Sequence, residues 1–529
     1  MTRRSHSVPV RTTAIAGLLF IASVLSRAQP RITGTWQAEV QPGVFWTVEL
    51  GLEGARLTGV VDDGSDPVEF YDSAVSGNTV TFRATNLFGD TTVTFTGVIG
   101  SDQLAFTRDV QGQSAPRRPP GIVSAAGPRE FTVRRVPNGQ TPARSRGAQF
   151  PRQLIIYDRS GTVVKTLGEP DNYNWPVFSP DGTKIVVRQR GHLWVIDVAT
   201  GTRTRITSPP WLAFAPAWSA NGRAIAYFSW HQQSAGGVYR KASDGTGTEA
   251  RLYESERGAS VVIRDWSSDG RWLSFDSGNV LFALAIDGGA PIQLAPGESQ
   301  MRRARFSPDN RFLAYESDET GQFEVFVRAF DSASGAFAAS SEKLQISKGG
   351  GGMAHWRRDG REIFYLDADG GVRVVDVSTT PGFRTGTPRL LFRAPDSLPP
   401  FAACFCAGEK SLGTVSPDGQ RIAFAVPMPP QRKPTSVAPE ILSKYAGTYE
   451  LFGADVKITL EDNDLVATGI DTAGGALVAK ERAHLVAQSE TSFFITDSSG
   501  EIDFVKDATG KVDYLLFYQG GPPMRALRK

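Results

Sequence analysis

One phrase recurs six times through the middle of the chain: an apolar residue, usually aromatic, then in most copies a serine, a tight turn of the Pro-Asp-Gly kind, and a short apolar strand. It reads Phe178-Ser179-Pro180-Asp181-Gly182, Trp218-Ser219-Ala220-Asn221-Gly222 and Trp266-Ser267-Ser268-Asp269-Gly270. It continues as Phe306-Ser307-Pro308-Asp309-Asn310, Trp356-Arg357-Arg358-Asp359-Gly360 and Val415-Ser416-Pro417-Asp418-Gly419. The Asp or Asn positions are separated by 40, 48, 40, 50 and 59 residues, a spacing that accommodates a four-stranded unit with loops of varying length. The chemistry dictates a hairpin: proline presets φ, Asp or Asn caps the turn, and glycine takes φ > 0. Each turn leads into β-branched and aromatic residues such as Ile185-Val186-Val187, and a third strand such as Leu193 to Val198 follows.

The ends of the repeat region fix the blade count. After Asp418 only one strand remains, Arg421 to Val426, before a proline-rich stretch. Before the first copy stand two strands without a unit of their own, Leu154 to Tyr157 and Val163 to Leu167. These supply the missing outer pair, so the expectation is a ring of six blades closed by strand exchange between its ends, with no wide edge left open. On these repeats, residues 152–427 resemble the TolB-like six-bladed β-propeller and the wider WD-repeat group. That resemblance implies a binding scaffold and names no partner.

The flanks read as smaller all-β units. Residues 32–136 show short alternating segments such as Val80-Thr81-Phe82-Arg83, about seven strands in all, and Gly34-x-Trp36 resembles the first strand of lipocalin-type barrels. Residues 137–150 read as a linker, as do residues 428–439. Residues 440–529 repeat the pattern, opening with Tyr445-Ala446-Gly447-Thr448-Tyr449, and resemble the lipocalin-like accessory module of secreted β-lactamase-type serine hydrolases. The fold class expected is all-β: a central propeller with a small antiparallel barrel or sandwich on either side.

Residues 1–28 carry Arg3, Arg4 and Arg11, an apolar run from Ala14 to Leu25, and small residues at Ser26 and Ala28. This is the pattern of a secretory signal peptide cleaved near Ala28, placing the mature chain in the periplasm or outside the cell, with no integral membrane segment after cleavage. The whole chain has a formal charge of +2, and removing the four arginines of that segment leaves −2, a balance that argues against nucleic acid as partner. Cys404 and Cys406, one residue apart, are compatible with a strained disulfide or with two free thiols.

Catalytic signatures are not evident. The chain has no Gly-x-Ser-x-Gly elbow of the kind that accompanies propellers in prolyl-oligopeptidase-type enzymes. Ser340-Ser341-Glu342-Lys343 has the β-lactamase spacing but sits on an outer strand. His192, His231, His355 and His484 show no metal-ligand spacing, and His192 reads as a surface or strand-edge residue. Acidic turns such as Asp62-Asp63-Gly64-Ser65-Asp66 do not follow a full calcium-loop pattern. The expectation is therefore no enzyme, no catalytic residue, no metal and no cofactor. The loops at one end of the propeller hold aromatic and arginine residues, the types that dominate binding hot spots. Trp175, Trp211, His231, Arg264, Arg303 and His355 are the candidate binding residues, for a protein or peptide of the cell envelope. The alternative is a small molecule, lipid or glycan held in the propeller funnel or in a flanking barrel, with an apolar ligand possible in the latter. A propeller hydrolase or lyase ranks last, because these loops offer arginine and aromatic groups rather than convergent metal ligands.

Overall fold

The computed structural model describes residues 32–529 apart from 55, 64–66, 87–90, 113–126, 147, 232–235, 257–258, 260, 297–298, 340, 396–412, 430–433, 452–453, 469–481, 496–499 and 519–522. The signal-peptide reading, both cysteines and Ser340 lie outside the described residues, as does most of the 62–66 turn. Among the described residues no helix is long and apolar enough to cross a membrane.

The six repeat turns act as self-contained hydrogen-bonding devices. In the first, Ser179 Oγ donates to Asp181 Oδ1 while accepting from the Lys184 amide at 2.9 Å, and Asp181 Oδ1 accepts the Thr183 amide at 3.0 Å. The Ser219, Ser267, Ser307 and Ser416 turns repeat this arrangement. The fifth, with Arg357 in place of serine, keeps the backbone bond from Gly360 N to Arg357 O at 2.9 Å. Asn310 takes the glycine position of the fourth turn at φ +56°, a conformation asparagine tolerates.

These hairpins build six antiparallel sheets. Their first strands, Tyr173–Phe178, Leu212–Trp218, Val262–Trp266, Met301–Phe306, Gly351–Trp356 and Gly413–Val415, pack one against the next and return from the sixth to the first, forming an inner ring. Blades 4 and 5 each carry a fifth short strand, Leu344–Gln345 and Arg389–Arg393, where four were expected. Ring closure follows the strand-exchange scheme. Arg152–Asp158 pairs antiparallel with Arg421–Pro427 from Arg152↔Pro427 through to Asp158↔Arg421, and Val163–Asp171 forms the outer edge. Leu154, Ile156, Ala423 and Ala425 from both ends of the propeller share one buried cluster.

The N-terminal unit is a single nine-stranded antiparallel sheet rather than seven strands. The additional strands are the two-residue Val68–Glu69 and the strand Tyr71–Ser76, which precedes the expected strand at Thr79–Thr85. Its first strand, Gly34–Gln41, pairs with its last, Glu130–Arg135, so the sheet curls around Trp36, Trp46, the stacked rings of Phe70, Phe82 and Phe95, and the stacked pair Phe106 and Phe131 that meets them edge-on. Gly59 is required here, since a Cβ at that position would lie 1.8 Å from Glu49 O. The C-terminal unit is a closed barrel of eight strands from Gly447–Leu451 to Met524–Arg528, preceded by the short helix Pro439–Leu442.

The three units are joined. The N-terminal sheet and the inner strands of blades 1 to 3 form one continuous apolar cluster, flanked by Arg190–Glu49 at 3.0 Å and Arg205–Glu69 at 2.6 Å. Arg146, between the N-terminal sheet and the propeller, reaches into the C-terminal barrel: Nε donates to Glu501 at 2.9 Å, both terminal nitrogens engage Asp503, and the guanidinium lies 3.8 Å from the centre of the Tyr518 ring. Its backbone amide donates to Gly43 O at 2.9 Å in the N-terminal sheet.

Because Ile156 is wholly buried on the strand that closes the ring, Ile156→Ala is expected to destabilise the chain by about 2–4 kcal/mol in chemical denaturation. An equivalent loss from the exposed Val164→Ala on the outer strand would contradict this assignment of stability to the closure.

Candidate functional site

The six candidate residues do not share the open loop face expected of them. Trp175, Arg264, Arg303 and His355 lie within the first strands of blades 1, 3, 4 and 5, and only Trp211 and His231 lie in connecting segments. The physical reason is a bulge of one residue near the start of each of the first five inner strands, for example between Asn174 and Val177 or between Arg302 and Arg305. At the same register, three residues before the repeat aromatic, Trp175, Ala215, Arg303 and Met353 adopt φ of +50°, +48°, +52° and +57°. Repetition of this strained conformation around the ring marks it as a property of blade geometry.

Burial and pairing follow from that position. Trp175 is 6% exposed, meets Phe214 edge-on, and belongs to the cluster shared with the N-terminal sheet. Arg264 Nε donates to Asp276 Oδ2 at 2.7 Å, and both side chains are buried. Asp276 Oδ1 also accepts the Arg303 amide of the next blade at 2.9 Å. Glu316 repeats the device one blade on: it accepts Arg302 Nε at 2.6 Å, Arg303 Nη1 at 3.2 Å, and the amide of Met353 in blade 5 at 2.7 Å. Burial alone would push the Glu316 carboxyl up; Arg303, Arg302 and the Met353 amide more than offset this and hold it below its ordinary value. Arg264 and Arg303 thus neutralise buried carboxylates that satisfy the strained amides of the neighbouring blade. The sequence signal for these partners was an acid interrupting an apolar second strand, as in Phe275-Asp276 and Tyr315-Glu316.

His192, expected at the surface, is fully buried at the start of a third strand and held neutral, its pKa driven well down by burial, with Arg205 and Arg188 adding to the shift. His355 is part-exposed. Its Nδ1 lies 2.8 Å from Met353 O, and burial, helped by Arg305, lowers its pKa to about 3.

The structure brings Trp211 and His231 together. Their rings stack at 4.9 Å, and His231 stacks in turn on Tyr239 at 4.3 Å. His231 Nδ1 lies 3.1 Å from Tyr239 Oη and Nε2 lies 3.4 Å from Glu249 Oε1. Tyr227 Oη donates to the other Glu249 oxygen. Trp211, Tyr227, Lys241 and Glu249, with the hydroxyls of Thr207, Ser208, Ser229 and Thr248, line a cleft of about 280 Å³ between blades 1 and 2. Tyr227 is held in its protonated form by burial and by Glu249. Burial, with Arg251 adding and Glu249 opposing, lowers the His231 pKa, which keeps the imidazole neutral near pH 7. The cleft therefore offers an indole, a cation, a carboxylate and several hydroxyls at close range. Tyr227, Lys241 and Glu249 were not distinguishable in the sequence from ordinary strand and turn residues.

The chain's own strand pairing establishes the six-bladed propeller, and it is similar to TolB structures. A protein of Agrobacterium tumefaciens assigned as TolB is 20% identical, with 53% of this chain and 99% of that one covered at a TM-score of 0.41. TolB of Acinetobacter baumannii is 15% identical, with 57% and 80% covered at 0.35. An oligogalacturonate lyase in complex with manganese is 12% identical, with 68% and 96% covered at 0.34. An uncharacterized protein of Agrobacterium fabrum is 23% identical over 216 residues, spanning 38% of this chain and 68% of the relative. No protein-family model matches the chain.

Two measurements test these assignments. Arg303→Ala leaves Glu316 short of a buried counter-charge and is expected to cost about 3–5 kcal/mol of stability by denaturation; a variant of native stability would return Arg303 to the binding candidates. His355 is neutral when folded, and its pKa falls from 6.5 to about 3 on folding, so its contribution is complete above pH 6.5 and is lost as pH falls towards 3. His355→Gln is accordingly expected to flatten the acid limb of the stability profile by up to about 1.4 kcal/mol per pH unit, and an unchanged slope would contradict the neutral folded state.

Proposed function

We propose that this chain is an exported, periplasmic or extracellular binding protein, with the propeller as a rigid scaffold and the cleft beside Trp211 as its recognition site for a protein or peptide of the cell envelope. The observation that carries the reading is the Trp211–His231–Tyr239 stack beside Glu249 and Lys241. A pre-stacked indole loses little side-chain entropy when a partner docks, and aromatic anchors of this kind dominate binding energy. The two charges at the cleft supply orientation. A volume of about 280 Å³ suits one large side chain of a partner and not a whole folded surface.

The N-terminal sheet shares an apolar cluster with the inner strands of blades 1 to 3, so this end of the ring already has an intramolecular occupant. That displaces the binding reading from Trp175 to the cleft. A glycan is the second reading, favoured by the hydroxyls of Thr207, Ser208, Ser229 and Thr248 around the same indole. The part assigned to the chain is binding, with Tyr227, held protonated by burial and by Glu249, orienting the ligand in the cleft and His231 supporting Trp211 from behind by stacking.

Crosslinking in the native host, with wild type and Trp211→Ala compared, tests the reading. Loss of a specific protein adduct in the variant, with unchanged thermal stability, is the expected result. Recovery of every adduct by Trp211→Ala would overturn it, and Trp211-dependent retention of oligosaccharide without any protein adduct would favour the glycan.

A further inference from the structure

Glu249 is the carboxylate of the cleft between blades 1 and 2, and its neighbours hold it in place without neutralising it. Tyr227 Oη donates to one oxygen, and the other lies 3.4 Å from His231 Nε2. His231 is neutral near pH 7, so it supplies no counter-charge there. Among the described residues no lysine or arginine forms an ion pair with Glu249. Arg251, two residues along the strand, is turned onto Glu254 at 2.7 Å. The Glu249 side chain keeps a third of its surface, 33%, accessible, so an entering group can reach it.

The other charge of the cleft is held differently. Lys241 lines it but makes no hydrogen bond or ion pair among the described residues, so its long stem can carry the ammonium group to the rim. The aromatic groups side with the carboxylate. Trp211 stacks at 4.9 Å on the His231 ring, and that ring's Nε2 is the atom beside Glu249, so indole and carboxylate border one space. Aromatic faces attract cations and repel anions. A positioned carboxylate beside an indole is therefore prepared for a cation, whereas an unanchored ammonium group is not equally prepared for an anion. A planar guanidinium suits the space best. It can lie flat on an indole while its N–H edge meets a carboxylate, and its remaining donors find acceptors in the hydroxyls of Ser208, Ser229 and Thr248.

We propose that the side chain this cleft takes from its partner is an arginine, its guanidinium stacked on Trp211 and donating to Glu249, with Lys241 displaced towards the rim. The proposal rests on the reading of the cleft as the recognition site and adds to it the charge and shape of the guest. A lysine of the partner would meet the carboxylate as a point charge without the flat stacking contact. An acidic side chain would meet Lys241 at the cost of facing Glu249 and the aromatic rings.

The experiment titrates the full chain, carrying 13C-labelled histidine, with end-capped tripeptides that differ only in the central residue: arginine, its neutral isostere citrulline, lysine and glutamate. The chain has five histidines, and His231→Gln assigns the reporter signal beside Trp211. The arginine peptide is expected to shift that signal selectively and to bind at least about tenfold more tightly than the citrulline peptide. Glu249→Gln keeps an oxygen for the Tyr227 hydroxyl and is expected to abolish this preference while leaving citrulline affinity unchanged. Lys241→Gln removes a like charge and is expected to tighten the arginine peptide alone. Equal affinity for arginine and citrulline, or a preference for lysine or glutamate, would overturn the proposal; binding of those peptides that is lost in Trp211→Ala would leave the cleft standing as the recognition site. No selective shift with any peptide would also overturn the proposal, and the Trp211-dependent crosslinking then decides the cleft reading separately. Should Glu249→Gln fail to fold, the arginine-against-citrulline comparison on the wild type decides alone.

Discussion

The pairing of Arg152–Asp158 with Arg421–Pro427 is the contact on which the rest of the molecule depends. It joins segments roughly 270 residues apart, and loop closure over that length costs about 5 kcal/mol plus a constant. Burial of Leu154 and Ile156 alone returns about 1.5–3 kcal/mol each, and the ladder bonds and the remaining strand contacts add to that. Closure therefore wins, and it leaves no blade without its outer strands. It also sets the position of everything outside the ring. Met428 N donates to Pro151 O at 2.8 Å, so the two flanking units leave the propeller at one point. Only for that reason can Arg146, ahead of the first blade, reach Glu501 and Asp503 beyond the last.

The ring is chemically uneven. In blades 1 and 2 the inner strands and their neighbours are packed with Trp175, Phe214, Phe228 and Trp230, and the Arg188 guanidinium lies 4.7 Å over Phe214. In blades 3 and 4 the corresponding space holds Arg264 with Asp276, and Arg302 and Arg303 with Glu316. Buried ion pairs add little net stability over apolar packing, but they do satisfy specific donors. Here the donors are the amides of Arg303 and Met353, forced out of the ladder by the bulge. The charged half is thus a consequence of strained backbone that needs acceptors.

The recognition chemistry of the scaffold lies in the cleft between blades 1 and 2. Between blades 1 and 2, stacked rings with a carboxylate and an ammonium group favour a large side chain or a sugar ring. The N-terminal sheet, packed with the inner strands of blades 1 to 3, occupies the end where an external partner was expected.

Repeat spacing, turn chemistry and the orphan strands at residues 154–167 determined the six-bladed ring and its closure, because each rests on local rules: φ preference, side-chain capping and the two-residue period of a strand. The same locality is why the barrel-like character of residues 440–529 was legible, while the exact strand number at residues 32–136 was not: a two-residue strand such as Val68–Glu69 has no period to read. The candidate site was legible only in part. Trp211 and His231 were marked by residue type, and the fold stacked them. Arg264 and Arg303 were marked by the same rule, yet the bulge turned them inward onto Asp276 and Glu316. Which arginine meets solvent and which meets a buried carboxylate is a matter of register across blades some 40 residues apart in the chain, and only the closed ring fixes that register.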